Sequence, residues 1–291
     1  MKIDLTKTQL GILEVLSDRW YEFVNVSNIS PYADLSISSV YGSITSLKER
    51  NIVMELNRAY KINFSNDIAW AVKRLHDASK LYSLPNHIQH KIVEIREKAN
   101  LFFTNGIRAI FVFGSSASLE IKKESDVDFF LILQKKKPNF LNFLTSEDKN
   151  FNFIQNELSE FYEGYENGND FILAILKNHI LLQGDDIIRI LLERDLPIVS
   201  KKVIHEREVQ LNELKNKIDK LIFEDHPIAY EKTKEFIKSK VRLMLMKSNV
   251  VPVSNRNLFD IMKKQFPKYY ESHKNLSRKN TRDTYLKLVR D

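Results

Sequence analysis

Two apolar runs separated by a short polar segment constrain the fold more than any other feature of the chain. Ala109–Phe113 is an apolar run of strand length that ends at Gly114, and Val127–Leu133 is a second such run. Both consist mostly of β-branched and aromatic residues, which is typical of buried strands. The sequence therefore predicts two strands of one sheet, joined by a Gly-Ser turn and a short helix that runs to Lys123.

The residues between these runs are the types that a metal and a phosphate group require. Asp126 and Asp128 are two residues apart, so on a strand their carboxylates point to the same face. Hard cations such as Mg²⁺ or Mn²⁺ prefer these oxygens. A glycine at a strand end lets backbone amides approach phosphate closely, and serine hydroxyls add donors. We therefore expect Asp126 and Asp128 to hold metal, and Gly114, Ser115 and Ser116 to hold the phosphates of a nucleotide.

A Gly-Ser turn followed about ten residues later by Asp-x-Asp on a strand resembles the signature of DNA polymerase beta-type nucleotidyltransferases, in particular the minimal ones. The resemblance covers Leu101–Gly184, although Ser118-Leu119 stands where members often have Arg-Gly. It implies an enzyme that moves a nucleotidyl group from a nucleoside triphosphate to a hydroxyl on RNA, a protein or a small molecule. ATP is one candidate triphosphate. Asp126 and Asp128 would be the catalytic, metal-binding residues.

One expected acid of that family has no obvious counterpart. Members usually carry a third carboxylate on the next strand, which the sequence places at Asn150–Gln155. Its best-placed polar residue is the neutral Asn152, with Asp148 before the strand, Glu157 after it and Asp170 farther on. Loss of the third acid would remove a general base and one metal ligand. The alternative is therefore a protein that binds a triphosphate without transferring a nucleotidyl group.

The first 64 residues are predicted to form a winged helix-turn-helix domain, with Thr6 as the cap of its first helix. The third helix should bury the stripe made by Ile37, Val40, Ile44 and Leu47. The predicted helices and strands are Thr6–Ser17, Val26–Ala33, Ser36–Arg50, Ile52–Leu56 and Tyr60–Ile62.

The outer face of that third helix is the candidate DNA-binding surface. In a winged helix it would enter the major groove, with the wing near the backbone. Against this, residues 1–64 contain seven basic and seven acidic residues, so they would neutralise few phosphates. A DNA-binding regulator or antitoxin-like protein, and a module for dimerisation or substrate docking, both remain open. The candidate DNA contacts are Ser38, Ser39, Tyr41, Ser43 and Arg58.

The basic character of the chain belongs to its last third. The net charge is +7, but residues 201–291 hold 22 Lys+Arg against 12 Asp+Glu. Four helices are predicted there, about Ile204–Phe223, Ile228–Lys247, Leu258–Phe266 and Ser277–Val289. Lys234, Lys238 and Arg242 are candidate contacts for a polyanion such as RNA. A lysine-rich bundle that only packs or forms a homodimer is the alternative.

Length and composition favour an α+β (α/β) chain with several parts. We expect a winged-helix domain at 1–64, a helical connector broken by Pro85 at 65–100, a mixed nucleotidyltransferase sheet flanked by helices at 101–195 and a helical bundle at 196–291. No apolar run approaches the roughly 18–20 residues of a membrane span. The chain has no cysteine, which excludes disulfides and thiolate zinc sites and fits a cytoplasmic protein.

Overall fold

The computed structural model describes residues 4–120, 126–137, 139–140 and 151–289. The chain forms two compact units, Met1–Glu163 with Ile175–Leu196 and Gly164–Ala174 with Pro197–Asp291. Helices dominate, and the described strands form two small sheets, so the predicted α+β class is confirmed. The finer division into four domains remains a prediction.

The amino-terminal part of the first unit consists of three helices and a small antiparallel sheet of order β1-β3-β2. As predicted, the Thr6 hydroxyl caps the first helix by accepting from the amide of Gln9. The two-residue strand β1 is too short to leave a periodic pattern in the sequence. The identification as a winged helix remains a prediction. The elements are α1 (Lys7–Asp18), β1 (Val24–Asn25), α2 (Val26–Tyr32), α3 (Ile37–Glu49), β2 (Val53–Leu56) and β3 (Ala59–Ile62).

Helix α3 buries most of the predicted stripe. Val40, Ile44 and Leu47 are buried, but Ile37 is 53% exposed, so its predicted burial is wrong. Ile37 is the first helical residue after the Ser36 cap, and the stripe becomes buried only one turn later. Of the candidate DNA contacts, Ser43 is half-buried and the others are exposed, namely Ser38, Ser39, Tyr41 and Arg58.

The second sheet has the order β6-β5-β4-β7. Strand β5 runs antiparallel to β4 and parallel to β6, and β7 is antiparallel to β4. One face of the sheet packs on α5, which follows Pro85, through residues such as Ile92 and Phe129. The elements are α4 (Asp67–Tyr82), α5 (Asn86–Phe103), β4 (Ile107–Phe113), β5 (Val127–Leu133), β6 (Phe151–Glu157), α6 (Leu158–Glu166), α7 (Asp170–Lys177), β7 (Ile180–Gln183) and α8 (Asp185–Leu192).

A buried ion pair fastens helix α4 to strand β7. The Lys73 ammonium and the Asp77 carboxylate pair within α4, and both side chains are almost completely buried. The backbone amide of Leu181 in β7 donates to the other Asp77 oxygen at 3.4 Å. Arg74 adds a hydrogen bond to the carbonyl of Leu181 and an ion pair with Asp185 at 2.9 Å. Burial lowers the pKa of Lys73, so its charge depends on the aspartate.

The second unit is helical in its described part. Its cores are formed by clusters around Ile237 and Leu258 and around Phe236 and Tyr285. Helix α12 was not predicted from the sequence; it begins directly after α11 with Pro267, a residue suited to a helix start. The helices are α9 (Lys201–Phe223), α10 (Ala229–Lys247), α11 (Asn255–Gln265), α12 (Pro267–Asn275), a 3₁₀ turn (Arg278–Asn280) and α13 (Thr281–Val289).

Among the described helices, none is both long enough and apolar enough to cross a membrane.

Replacing Asp77 by alanine should destabilise the first unit by about 3 kcal/mol, because it leaves the Lys73 ammonium buried without a partner. Urea unfolding followed by tryptophan fluorescence measures this, since Trp20 and Trp70, the two tryptophans of the chain, lie in this unit. The matched control is the apolar pair Lys73→Met/Asp77→Leu, which should lose much less stability. Equal losses in both variants would contradict the role given to the ion pair.

Candidate functional site

The sheet register brings the predicted site residues to one end of the sheet. Asp128 of β5 lies between Phe113 of β4 and Asn152 of β6. Because β4 is antiparallel to β5, the turn that begins at Gly114 follows directly beside Asp128. Because β6 is parallel to β5, its first residues lie beside Asp126 and Asp128. A glycine turn, two carboxylates and one amide therefore meet at the same place.

The two aspartates share a face of the sheet, as their spacing predicts. Val127 between them is 2% exposed and belongs to the apolar core, whereas Asp126 is exposed and Asp128 is half-buried. One nitrogen atom, Nδ2 of Asn152, donates to Oδ2 of Asp126 at 3.3 Å and to Oδ1 of Asp128 at 3.1 Å. Oxygens of both carboxylates therefore converge on one donor.

The electrostatics at this point favour a positive charge. Burial raises the pKa of Asp128, the neighbouring charge of Asp126 raises it further, and the hydrogen bond from Asn152 lowers it in part. Two carboxylates held this close repel each other when both are ionised. A bound cation would remove that cost more completely than a neutral amide can.

The residues present fit a divalent cation, although with fewer acids than the family resemblance implies. The convergent oxygens of Asp126 and Asp128 are hard ligands, and the Asn152 side chain also carries an oxygen of a type that Mg²⁺ accepts. Within the described residues there is no cluster of three or more acid, histidine or cysteine side chains. A cation here would therefore depend on two acids, an amide and the oxygens of its substrate or water.

The turn after β4 requires glycine at its first position. Gly114 has a φ of 70°, in the left-handed region that side chains disfavour. A Cβ atom added there would lie 2.5 Å from Oδ2 of Asp128. The backbone of the turn therefore lies against the Asp128 carboxylate. If a metal-bound triphosphate occupies this site, its phosphates must lie next to the same turn.

The short helix predicted between the Gly-Ser turn and Lys123 does not form at Leu119 and Glu120, which are its described residues. Ser115 to Leu119 form turns, in which the amide of Ser118 donates to the carbonyl of Gly114 at 3.2 Å and the amide of Leu119 donates to the carbonyl of Ser116 at 3.3 Å. Leu119 has a φ of 56°, and this left-handed backbone ends the helical turn. The remainder of the predicted helix, to Lys123, lies outside the described residues.

The two serines of the turn differ in access. Ser115 is half-buried, whereas Ser116 is completely buried and its hydroxyl has no hydrogen-bond partner in the described ranges. A phosphate could therefore meet Ser115, whereas Ser116 has no exposed surface in this structure. Phosphate binding by either residue remains a prediction.

A brace that the sequence analysis missed holds the glycine turn. The side-chain amide of Asn178 donates to Oγ of Ser118 at 2.7 Å, and that hydroxyl donates to the carbonyl of Gly114 at 3.3 Å. Asn178 lies 60 residues from Ser118 in the sequence, so no local pattern could reveal the contact. Ser118 thus supports the shape of the turn from its outer side.

His179, to which the sequence analysis gave no chemical role, is structural. Its Nδ1 donates to the carbonyls of Ile175 and Leu176 at 3.1 and 2.9 Å, and burial lowers its pKa to about 3. The ring is therefore neutral at physiological pH.

The other acids considered for the third position lie elsewhere or cannot be placed. Glu157 is at the far end of β6 and accepts from the amide of Lys136 at 3.1 Å. Asp170 belongs to the second unit, where Arg207 pairs with it. Asp148 lies outside the described residues. The register partner of Asp128 is the neutral Asn152.

Replacing Gly114 by alanine should lower the free energy of unfolding by at least about 1 kcal/mol, because its backbone is left-handed and the new Cβ would displace the Asp128 carboxylate. Gly42→Ala is the matched control, since Gly42 lies inside α3 with nothing within 4 Å of its Cβ position. That control should gain roughly 0.5–1 kcal/mol. Urea unfolding measures both, and a neutral Gly114→Ala would contradict the close packing.

One comparison with known proteins bears on this part of the chain. No curated protein sequence matches the chain significantly. Residues 90–195 match the family model described as "Polymerase beta, Nucleotidyltransferase". The matched segment begins in α5, contains the whole second sheet and ends after α8. This part of the chain is therefore similar to a nucleotidyltransferase domain, and it contains the glycine turn, both aspartates and Asn152.

Proposed function

We propose that the site at Gly114–Asp128 binds a nucleoside triphosphate with Mg²⁺ or Mn²⁺ and transfers its nucleotidyl group to a hydroxyl acceptor. The observation that supports this best is the convergence of both aspartates on one atom of Asn152 beside the Gly114 turn. The match of the surrounding residues to a nucleotidyltransferase family supports the reaction type.

Each residue has a role in the proposed reaction. The backbone of Gly114 and the amide and hydroxyl of Ser115 would hold triphosphate oxygens. Asp126, Asp128 and the oxygen of Asn152 would hold the cation, which when bound neutralises phosphate charge and makes the acceptor hydroxyl more acidic.

The transfer itself exchanges one phosphorus–oxygen bond for another. The acceptor oxygen forms a bond to the α-phosphorus, and the bond from that phosphorus to the bridging oxygen breaks. Pyrophosphate leaves with the electron pair, and the hydroxyl proton passes to water. The protein contributes position and charge rather than a covalent intermediate. RNA, a protein and a small molecule are the acceptor classes to test, with ATP as the first triphosphate.

A second candidate function is triphosphate binding without transfer, as in a nucleotide-responsive regulator that binds DNA through α3. The neutral side chain of Asn152 favours it, because an amide cannot accept the hydroxyl proton and holds a cation less strongly than a carboxylate. The balanced charge of residues 1–64 argues against strong DNA binding. Transfer and binding therefore need separate measurements.

The double variant Asp126→Asn/Asp128→Asn should lose transfer at least about a hundredfold, because several kcal/mol of charge stabilisation disappear with the cation. The measurement is label transfer from each α-³²P-labelled triphosphate, with Mg²⁺ or Mn²⁺, to total RNA and to cell-lysate protein. Asp34→Asn/Glu49→Gln is the control, since it removes the same charge from exposed positions of the first unit. Transfer that persists in the site variant would refute the proposal.

Asn152→Asp should bind Mn²⁺ about tenfold or more tightly than the wild-type chain, because a third carboxylate joins two others. Isothermal titration with Mn²⁺ alone measures this without any transfer. Without metal, the variant should also unfold at a lower urea concentration, since the added charge is repelled. Asn152→Leu removes the amide without adding charge and should show no gain in affinity.

The two functions make opposite predictions for the wild-type chain. The binding function is selected if the wild-type chain binds triphosphate and Mn²⁺ but transfers to no acceptor, while Asn152→Asp does transfer. Transfer by the wild-type chain would select the enzyme. Absence of Mn²⁺ binding in both chains would contradict the site itself.

A further inference from the structure

One face of helix α10 carries three cationic side chains at intervals of four residues, Lys234, Lys238 and Arg242. Four residues of helix rise by about 6 Å, so the three charges follow one another along about 12 Å of the same face. This interval is comparable with the distance between neighbouring phosphates of a nucleic-acid strand. We call Lys234, Lys238 and Arg242 the basic stripe.

The basic stripe is not neutralised by any acid in the described part of the chain. Lys238 has neither an ion pair nor a hydrogen bond there, and the ammonium of Lys234 meets only the ring of Tyr230, at 4.2 Å from its centroid. Nη2 of Arg242 donates to the side-chain oxygen of Asn255 at 3.3 Å, which is a neutral and long contact. In the described residues none of these three cations makes a direct ion pair, and Asp170 attracts Arg242 only from beyond contact distance.

The remaining lysines of the same helix, unlike those of the basic stripe, have polar partners. They lie around the opposite side of α10, and each has a short polar contact. The contacts are Lys232 to Glu235 at 2.6 Å, Lys247 to Glu208 at 2.7 Å and Lys240 to the carbonyl of Leu288 at 2.8 Å. The unpaired positive charge of the helix is therefore concentrated on the basic stripe. A lysine-rich surface that is merely solvated would be expected to show no such difference between its two sides.

Side chains of neighbouring segments lie beside the stripe, an imidazole near Lys238 and Lys234 and an ion pair near Arg242. His273 of α12 has a pKa lowered by its burial and by the charges of Lys238 and Lys234, and its ring lies 4.8 Å from that of Phe259. At the other end, burial lowers the pKa of Arg242. The charge of Asp170 raises this pKa and the charge of Arg207 lowers it. Asp170 is already occupied by two contacts from the Arg207 guanidinium.

We infer that the basic stripe binds successive phosphates of a single-stranded nucleic acid, with the rings of Tyr230 and His273 available for its bases. Regular spacing of unpaired cations suits a polymer with one charge per unit. Aromatic rings beside the cations suit exposed bases, which a duplex hides. The inference goes beyond the proposed function, because it depends only on residues of the second unit and does not require transfer.

The test is fluorescence anisotropy of a labelled 20-nucleotide RNA of mixed sequence, titrated with the full chain at several salt concentrations. We expect Lys234→Gln/Lys238→Gln to weaken binding about tenfold at low salt. The slope of log affinity against log salt should fall by about 1.4, since two phosphate contacts are lost. Arg242→Gln should weaken binding severalfold, and Tyr230→Leu about fivefold through loss of stacking.

The matched control is Lys217→Gln/Lys220→Gln, which removes the same charge from exposed positions of α9. It should leave the affinity within about twofold of wild type, apart from the general effect of net charge. Circular dichroism spectra and melting temperatures of all variants show whether the helices remain folded. Because the stripe residues are partly exposed and their charges unpaired, we expect these to be unchanged.

Competition with unlabelled partners tests the identity of the ligand. Single-stranded RNA or DNA of the same sequence should compete best. Whichever of the two competes more strongly shows whether ribose or deoxyribose is preferred. Stronger competition by the duplex, or by poly-glutamate, would overturn the assignment to a single strand or to nucleic acid. Equal affinities of the stripe and control variants, or no binding by the wild-type chain at low salt, would overturn the surface itself.

Discussion

The repulsion between Asp126 and Asp128 is the interaction on which the candidate site depends. The alternation of strand β5 places both carboxylates on one face, and the parallel pairing with β6 brings Asn152 to them. In the described residues the amide of Asn152 holds the two acids together through 3.1 and 3.3 Å hydrogen bonds. The Gly114 turn fits only because it has no side chain against Asp128. The turn, the acids and the amide are therefore mutually dependent, and a change in one must be accommodated by the others.

How much could be predicted depended on whether the cause was local. The strands, the shared face of Asp126 and Asp128 and the Thr6 cap follow from periodicity and from residues a few positions apart. The contact from Asn178 to Ser118 and the attachment of α4 to β7 through Asp77 join distant residues, so no local sequence pattern indicates them. The short helix expected before Lys123 does not form at Leu119 in the described part of the chain, because Leu119 adopts a left-handed backbone that its side chain disfavours. The family resemblance identified Asn152 as unusual, but its contact with both acids depends on the register of β5 and β6, which the sequence does not reveal.

The net charge of a segment does not show which of its cations are available to a ligand, because some of them are paired within the protein. The carboxy-terminal surplus of basic residues suggested a polyanion, yet half of the six cationic side chains considered on α10 are compensated by a neighbouring acid or carbonyl. On this helix the cations that have neither an acid nor a carbonyl partner and that share a face are Lys234, Lys238 and Arg242. The same reasoning separates Lys73, whose charge is structural because Asp77 is buried with it, from cations that are available to a ligand.

Asn152 also has a genetic consequence. Asparagine and aspartate codons differ only at their first base, and the two side chains have nearly the same size and shape. A single A-to-G transition would therefore add one negative charge beside Asp126 and Asp128 with almost no change in side-chain volume. The site lies one point mutation from a three-carboxylate centre, and a lineage of such chains could pass between the two forms in either direction. Aligned relatives that alternate between asparagine and aspartate at this position would record that passage.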